Sequence, residues 1–285
     1  MKLVQRRQNG NIILGIETQQ GIVDVPAEAA RRGIAAPATM MEAIRAGKEG
    51  LAVLQQLSQE AQCYTDAPAA PVITGCDKIL CIGLNYRQHA KECNLPLPPA
   101  PVLFCKFSNA LAADGDVIKL LPDYREYDYE AELVAVMGKE CKDVSAEEAL
   151  GYVYGYTCGN DMSTRDLQFA RSSQWVLSKT LDGFAPVGPC LVAGEDIDPD
   201  NLKISSVVNG ELRQNSNTSD MIFSVGQIIA DLSHHFTLAP GDLIFTGTPQ
   251  GVMHGYPADK KNWLKAGDTV DIIIEHIGTL HNTMG

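Results

Sequence analysis

The stretch YDYEAELVAVMG, residues 127–138, decides how the rest of the chain is read. AELVAVMG (131–138) is a short apolar run of strand length, and an acidic cluster leads into it. Alternate side chains of a strand share a face, so Glu130 and Glu132 point the same way. Two carboxylates on one face repel unless something positive lies between them, and a hard divalent cation would serve. A solvated acidic edge has the same spacing, so E-x-E leaves both readings open.

Outward from this strand the chain stays rich in strands. KILCIGL (78–84), KISSVVNGELRQ (203–214), DLIFTG (242–247) and TVDIIIEHIGTL (269–280) are further apolar runs, and Asn209-Gly210 is a strong hairpin turn. Helical patterns are few, at about 86–93, 145–151, 163–170 and 224–235. Residues 1–24 alternate around the turns Asn9-Gly10-Asn11 and Gln19-Gln20-Gly21, predicting two or three antiparallel strands. Residues 39–62 predict a helix with Met41, Ile44, Leu51, Leu54 and Leu57 on one face. YTDAPAAP (64–71) reads as a linker. The expected architecture is a small N-terminal domain with linker over 1–71 and a larger domain over 72–285. The fold class is mixed α/β, β-rich, with curved or packed sheets and peripheral helices.

Composition bounds the partners. With 45% hydrophobic and 20% charged residues, the 285-residue chain is globular and long enough for a large core. Twenty-three basic against 35 acidic residues give a net charge of −12, which argues against nucleic acid or an anionic membrane as partner. No apolar run reaches 18 residues, and the N-terminal apolar stretch is too short for a signal peptide, so a cytoplasmic location is expected. The eight cysteines form no C-x-x-C pair and read as reduced thiols.

Several further residues have types suited to chemistry. Asp161 ends the strand-like run YVYGYTC-GN and precedes a helical stretch; it caps that helix or adds a third carboxylate to Glu130 and Glu132. An all-oxygen trio favours Mg²⁺ or Mn²⁺ over zinc. His89 and Glu92, three apart on a helix, form either a general-base dyad or a solvated surface pair. Lys179 and Lys106 sit in unusually apolar surroundings and are either site cations or snorkelling lysines. FTGTPQGV (245–252) is a Gly/Thr turn whose amides and hydroxyls suit a carboxylate. There is no P-loop, no dinucleotide fingerprint and no nucleophile elbow. His234, His235 and His254 lack ligand spacing and read as non-catalytic.

GLNYRQHAKE, FCKFSNAL, DYEAELVAVMGK, YGYTCGNDMSTRDLQ, LSKTLDGFAPVGP, VVNGELRQNSNTSDMIFS, FTGTPQGV and LKAGDTVDIIIEHIGTLHN follow one another in an order that resembles the fumarylacetoacetate hydrolase family. The likeness spans about residues 75–285, and the first 70 residues look like the small extra domain of its short bacterial members. The resemblance implies a mixed β-roll of curved sheets in a homodimer. It implies that Glu130, Glu132 and Asp161 hold one Mg²⁺ or Mn²⁺ per chain, and that His89 and Glu92 are the acid/base dyad. It gives Lys179 a contact with the reacting oxygen or the substrate, Gln168 and Thr248 the 2-oxo acid end of a small-molecule substrate, and Arg87 a distal carboxylate. The implied reaction is hydrolytic C–C cleavage of an acylpyruvate through a metal-stabilised enolate. The same enolate serves an oxaloacetate decarboxylase, an oxaloacetate tautomerase or a dienedioate isomerase, and a non-catalytic binder of metal and keto acid is the remaining alternative. The segments 171–179 and 254–263 are expected to set substrate choice.

Overall fold

The molecule, a computed structural model, describes residues 1–170, 173–194 and 197–285. Its backbone is a long mixed sheet facing a five-stranded one, with short helices outside. The long sheet runs, strand beside strand, Tyr64–Thr65, Gly21–Asp24, Asn11–Thr18, Lys2–Gln8, Ala185–Ala193, Val153–Asn160, Ala131–Met137, Leu243–Phe245, Ile79–Gly83 and Val102–Lys106. The second sheet is Glu211–Asn217, Lys203–Val208, Thr269–Ile274, Gly278–Met284 and Val117–Ile118. No helix among the described residues is long and apolar enough to cross a membrane, and all eight cysteines are free.

Strand Ala131–Met137 shows why its sequence is apolar throughout. Leu133, Ala135 and Met137 pack into a core shared with the five-stranded sheet, with Ile204, Ile272 and Leu280. Val134 and Val136 enter a second core on the other face, with Leu14, Ile44 and Leu54. Both faces are covered, so apolar and polar residues cannot alternate. Each large buried side chain contributes roughly 1.5–3 kcal/mol, which anchors a strand with one buried carboxylate, Glu130, just before it and another, Glu132, within it.

The N-terminal strands continue the long sheet: Lys2 and Leu3 pair with Val192 and Leu191. Part of the expected linker is sheet, since Tyr64–Thr65 pairs with Ile22 and Val23. Besides the helix expected over 39–62, found as Met40–Ser58, a second that was not expected occurs at Val25–Arg32. Val25–Arg32 starts at Asp24, whose side chain accepts from the Ala27 amide, with a proline in the first turn. Met40–Ser58 is interrupted at Gly47, which adopts φ 56° and ψ −134°. The hairpin at Asn209-Gly210 forms with both residues at positive φ. The run 269–280 holds a second hairpin, strands Thr269–Ile274 and Gly278–Met284.

Candidate active site

Register brings the acidic residues together. Ala131 pairs with Asn160, so Glu130 just before one strand lies beside Asp161 just after its neighbour, and the Asp161 amide donates to the Glu130 carbonyl at 3.0 Å. Glu132, two residues along, points to the same face. The three side chains offer carboxylate oxygens all within 4.8 Å of one another, and all three residues are buried.

The cations around them are unevenly shared. Lys179 Nζ donates to Glu130 Oε2 at 2.7 Å and to Asp161 Oδ2 at 2.8 Å. Arg165 holds the other Glu130 oxygen through one guanidinium nitrogen and Asp128 Oδ2 through Nε at 2.9 Å. Lys106 Nζ lies 2.6 Å from Asp161 Oδ1, yet it donates to the carbonyls of Met162, Lys179 and Phe184. Its three N–H groups are thereby used, and Asp161 Oδ1 has charge nearby but no hydrogen bond. Glu132 has no ion pair among the described residues; it accepts one amide hydrogen bond, from Gly247 at 2.8 Å. Gly247 comes this close at φ 101°, where an added Cβ would lie 2.7 Å from Asn85 Cβ.

The electrostatics follow. Burial pushes Glu130 up, but Lys179 and Arg165 outweigh it and hold its carboxyl below the ordinary range. Burial, Asp161 and Glu130 push Glu132 well up. Such a trio fits a divalent ion: an all-oxygen donor set, one oxygen without a hydrogen bond, and one carboxylate with no ion pair among the described residues. Lys179 is held charged, since Asp161 and Glu130 more than offset its burial.

These residues line a cavity of about 290 Å³. His89, Gln168, Lys179 and Thr248 line it together with the trio, while Leu95, Phe104, Trp175 and Val252 form apolar wall. His89 Nδ1 lies 3.2 Å from Glu92 Oε2. Burial opposes charge on this ring, but Cys93, Glu92 and the field of Glu130 favour it, and its pKa rises to about 9. Glu92 does not line the cavity; its Oε1 accepts from the Gly251 amide at 2.9 Å. Gln168 Oε1 accepts from Arg165 at 3.0 Å, and Thr248 Oγ1 accepts from Gln214 at 2.8 Å. Arg87 is placed elsewhere: its guanidinium donates to the carbonyls of Asp220 and Met221, and it is not among the lining residues.

Sequence reasoning left out several members of this network. Arg165 and Asp128 lie inside motifs quoted above, yet neither was assigned a role, and nothing in their spacing says that they meet. His254, set aside for want of ligand spacing, lines the cavity. Of the two segments expected to govern substrate choice, each contributes to the wall through Trp175 or His254, while Arg171 and Ser172 lie outside the described residues.

Comparison with known proteins bears on this site. The model of the family described as fumarylacetoacetate (FAA) hydrolase C-terminal matches residues 78–285. Oxaloacetate tautomerase Fahd2a, mitochondrial, of Rattus norvegicus is 41% identical over 256 residues, 87% of this chain and 80% of that protein. Fumarylacetoacetate hydrolase from the psychrophilic Exiguobacterium antarcticum superposes with TM-score 0.85 at 34% identity, covering 100% of this chain and 99% of the other. Maleylpyruvate hydrolase from Sphingobium sp. SYK-6, solved with manganese(II) and pyruvate, superposes with TM-score 0.78 at 30% identity, covering 100% and 98%.

Proposed function

The chain belongs to the fumarylacetoacetate hydrolase family, and from that premise we propose that it is a divalent-metal-dependent enzyme interconverting the enol and keto forms of a 2-oxo acid, oxaloacetate. The observation that carries this reading is His89, buried in the carboxylate-lined cavity and held by Glu92, surroundings that raise its pKa to about 9 and favour the charged ring at neutral pH. A charged imidazole is a loaded proton donor, which ketonisation needs at carbon. Similarity to the rat tautomerase supports the same assignment.

Glu130, Glu132 and Asp161 would hold Mg²⁺ or Mn²⁺, which supplies a Lewis acid for negative charge on the 2-oxo oxygen. The maleylpyruvate hydrolase solved with manganese(II) supports an ion of this kind. Ketonisation breaks the enol O–H bond and forms a C3–H bond. Lys179, charged and beside Glu130 and Asp161, faces the oxygen and stabilises it as the proton leaves. His89 gives its proton to C3, and the proton released from oxygen recharges the ring, so the cycle consumes no water. Glu92 orients the imidazole. Thr248 and Gln168 bind the carboxylate next to the 2-oxo group.

Hydrolytic C–C cleavage of an acylpyruvate is the second reading. The apolar wall of the cavity favours it, because a four-carbon dicarboxylic acid has no apolar tail to place there. Here His89 would begin as the neutral base that takes a proton from water. The test sets metal-stripped protein with Mg²⁺ or Mn²⁺ against oxaloacetate and, separately, acetylpyruvate. Metal-dependent loss of enol absorbance without pyruvate, reduced about 10²–10⁴-fold in His89→Ala, is the expected result. Pyruvate from acetylpyruvate would move the assignment to hydrolysis, and pyruvate with CO₂ from oxaloacetate to decarboxylation. Oxalate binding with no turnover of either acid would leave a binder.

A further inference from the structure

His254 is the one histidine besides His89 that lines the cavity, and its setting is built. It lies in the short turn Met253–Gly255. Asp128 fixes that turn by accepting from the amides of Met253 at 2.8 Å and His254 at 2.9 Å, with the carboxylate that also holds Arg165. On the other side the turn abuts Glu92 so closely that a Cβ at Gly255 would lie 2.3 Å from Glu92 Cδ. The His254 ring rests on Phe169, with centroids 5.2 Å apart and planes 30° apart.

The ring is therefore held in place, yet neither of its nitrogens has a hydrogen bond among the described residues, and Nδ1 is buried without a partner. A buried polar atom left unpaired weakens the fold, a penalty that a ligand or an ordered water can remove. No hydrogen bond or ion pair joins the ring to Glu130, Glu132 or Asp161. A 2-oxo acid seated by its first two carbons at those carboxylates would present its other end to the rest of the wall, where His254 lies. Burial first, then Arg165 and Lys261, outweigh Asp128 and Glu130 and disfavour a positive charge on this ring, so its N–H is that of a neutral imidazole.

We propose that His254 is a specificity-determining residue, its imidazole N–H donating to a carboxylate on the tail of the substrate, so that the cavity selects 2-oxo dicarboxylic acids over 2-oxo acids with an uncharged tail. This deepens the function proposed above and rests on that reading for the placement of the 2-oxo end.

The test is calorimetric binding of two unreactive acids, pyruvate and 2-oxoglutarate, to the manganese-loaded protein. Wild type is expected to favour 2-oxoglutarate, and His254→Leu to lose about tenfold on 2-oxoglutarate while pyruvate changes less than about twofold. His254→Gln, which keeps an N–H donor, should recover part of the loss. On oxaloacetate, His254→Leu should raise KM far more than it lowers kcat. Unchanged manganese affinity and circular dichroism confirm that the variants are folded. Equal losses on both acids, or none on 2-oxoglutarate, overturn the proposal. If oxaloacetate is not tautomerised but the two acids still separate in this way, the tail contact stands and the assigned reaction falls. If neither acid binds wild type, both fall.

Discussion

Glu28, beside the N-terminal strands of the long sheet, and Glu132, on a strand near its middle, are both buried, and their surroundings treat them in opposite ways. Glu28 accepts from Arg31 and from the amides of Gln62 and Cys63. Hydrogen bonding from Arg31 outweighs burial, the two amides add to it, and the pKa falls to about 2. Glu132 has one amide and two carboxylate neighbours, and its pKa is pushed up. A carboxylate buried for stability is surrounded by donors, whereas one buried for chemistry is left short of positive charge that a ligand can supply.

The largest effect that would sharpen this contrast is on turnover. Glu132→Gln should cut metal-dependent rate by at least about 10²-fold. The same change should raise the melting temperature of the metal-free protein at neutral pH, because Gln needs neither a buried charge nor the proton that a Glu with a raised pKa must take up on folding. Loss of both rate and metal-free stability would break the comparison. The sign follows from linkage: Glu132 has a raised folded pKa, so its penalty grows as pH climbs above the ordinary 4.5, and the gain from Gln should shrink toward that pH.

Glu28→Gln should do the reverse, lowering stability by about 1–3 kcal/mol in denaturant melts while leaving the rate per folded molecule unchanged. Its folded pKa is depressed, so the stability it contributes is present above about 4.5 and is lost as pH falls toward about 2. A smaller effect is expected at the alkaline end. If His89 acts as the proton donor, metal-dependent rate should decline as pH rises through about 9. A rate that instead climbs through that range would show that the neutral ring is the working form.

Much of this contrast was legible in the sequence on one side only. Strand alternation placed Glu130 and Glu132 on one face, and the strand end before Asp161 offered a third carboxylate. Family likeness then joined the three, because pairing of Ala131 with Asn160 is a register that no local pattern prints. Glu28 was invisible: residues 25–32 were not read as a helix, although Asp24 and Pro26 form a cap-and-proline start. What buries Glu28 comes from residues 62 and 63, more than 30 positions away. His254 was passed over for a related reason. Its place depends on Asp128 gathering the 253–254 amides and Arg165, a contact across 125 residues that spacing rules do not address.

The central claim, that the buried trio holds a divalent ion, is tested most directly by titrating manganese into metal-stripped wild type, Glu132→Gln and Glu28→Gln and reading heat. Wild type and Glu28→Gln should each bind one ion per chain with the same affinity, and Glu132→Gln should bind at least tenfold more weakly, about 1.4 kcal/mol. Wild type that binds no manganese, or a Glu132→Gln protein that binds as wild type does, would contradict the account.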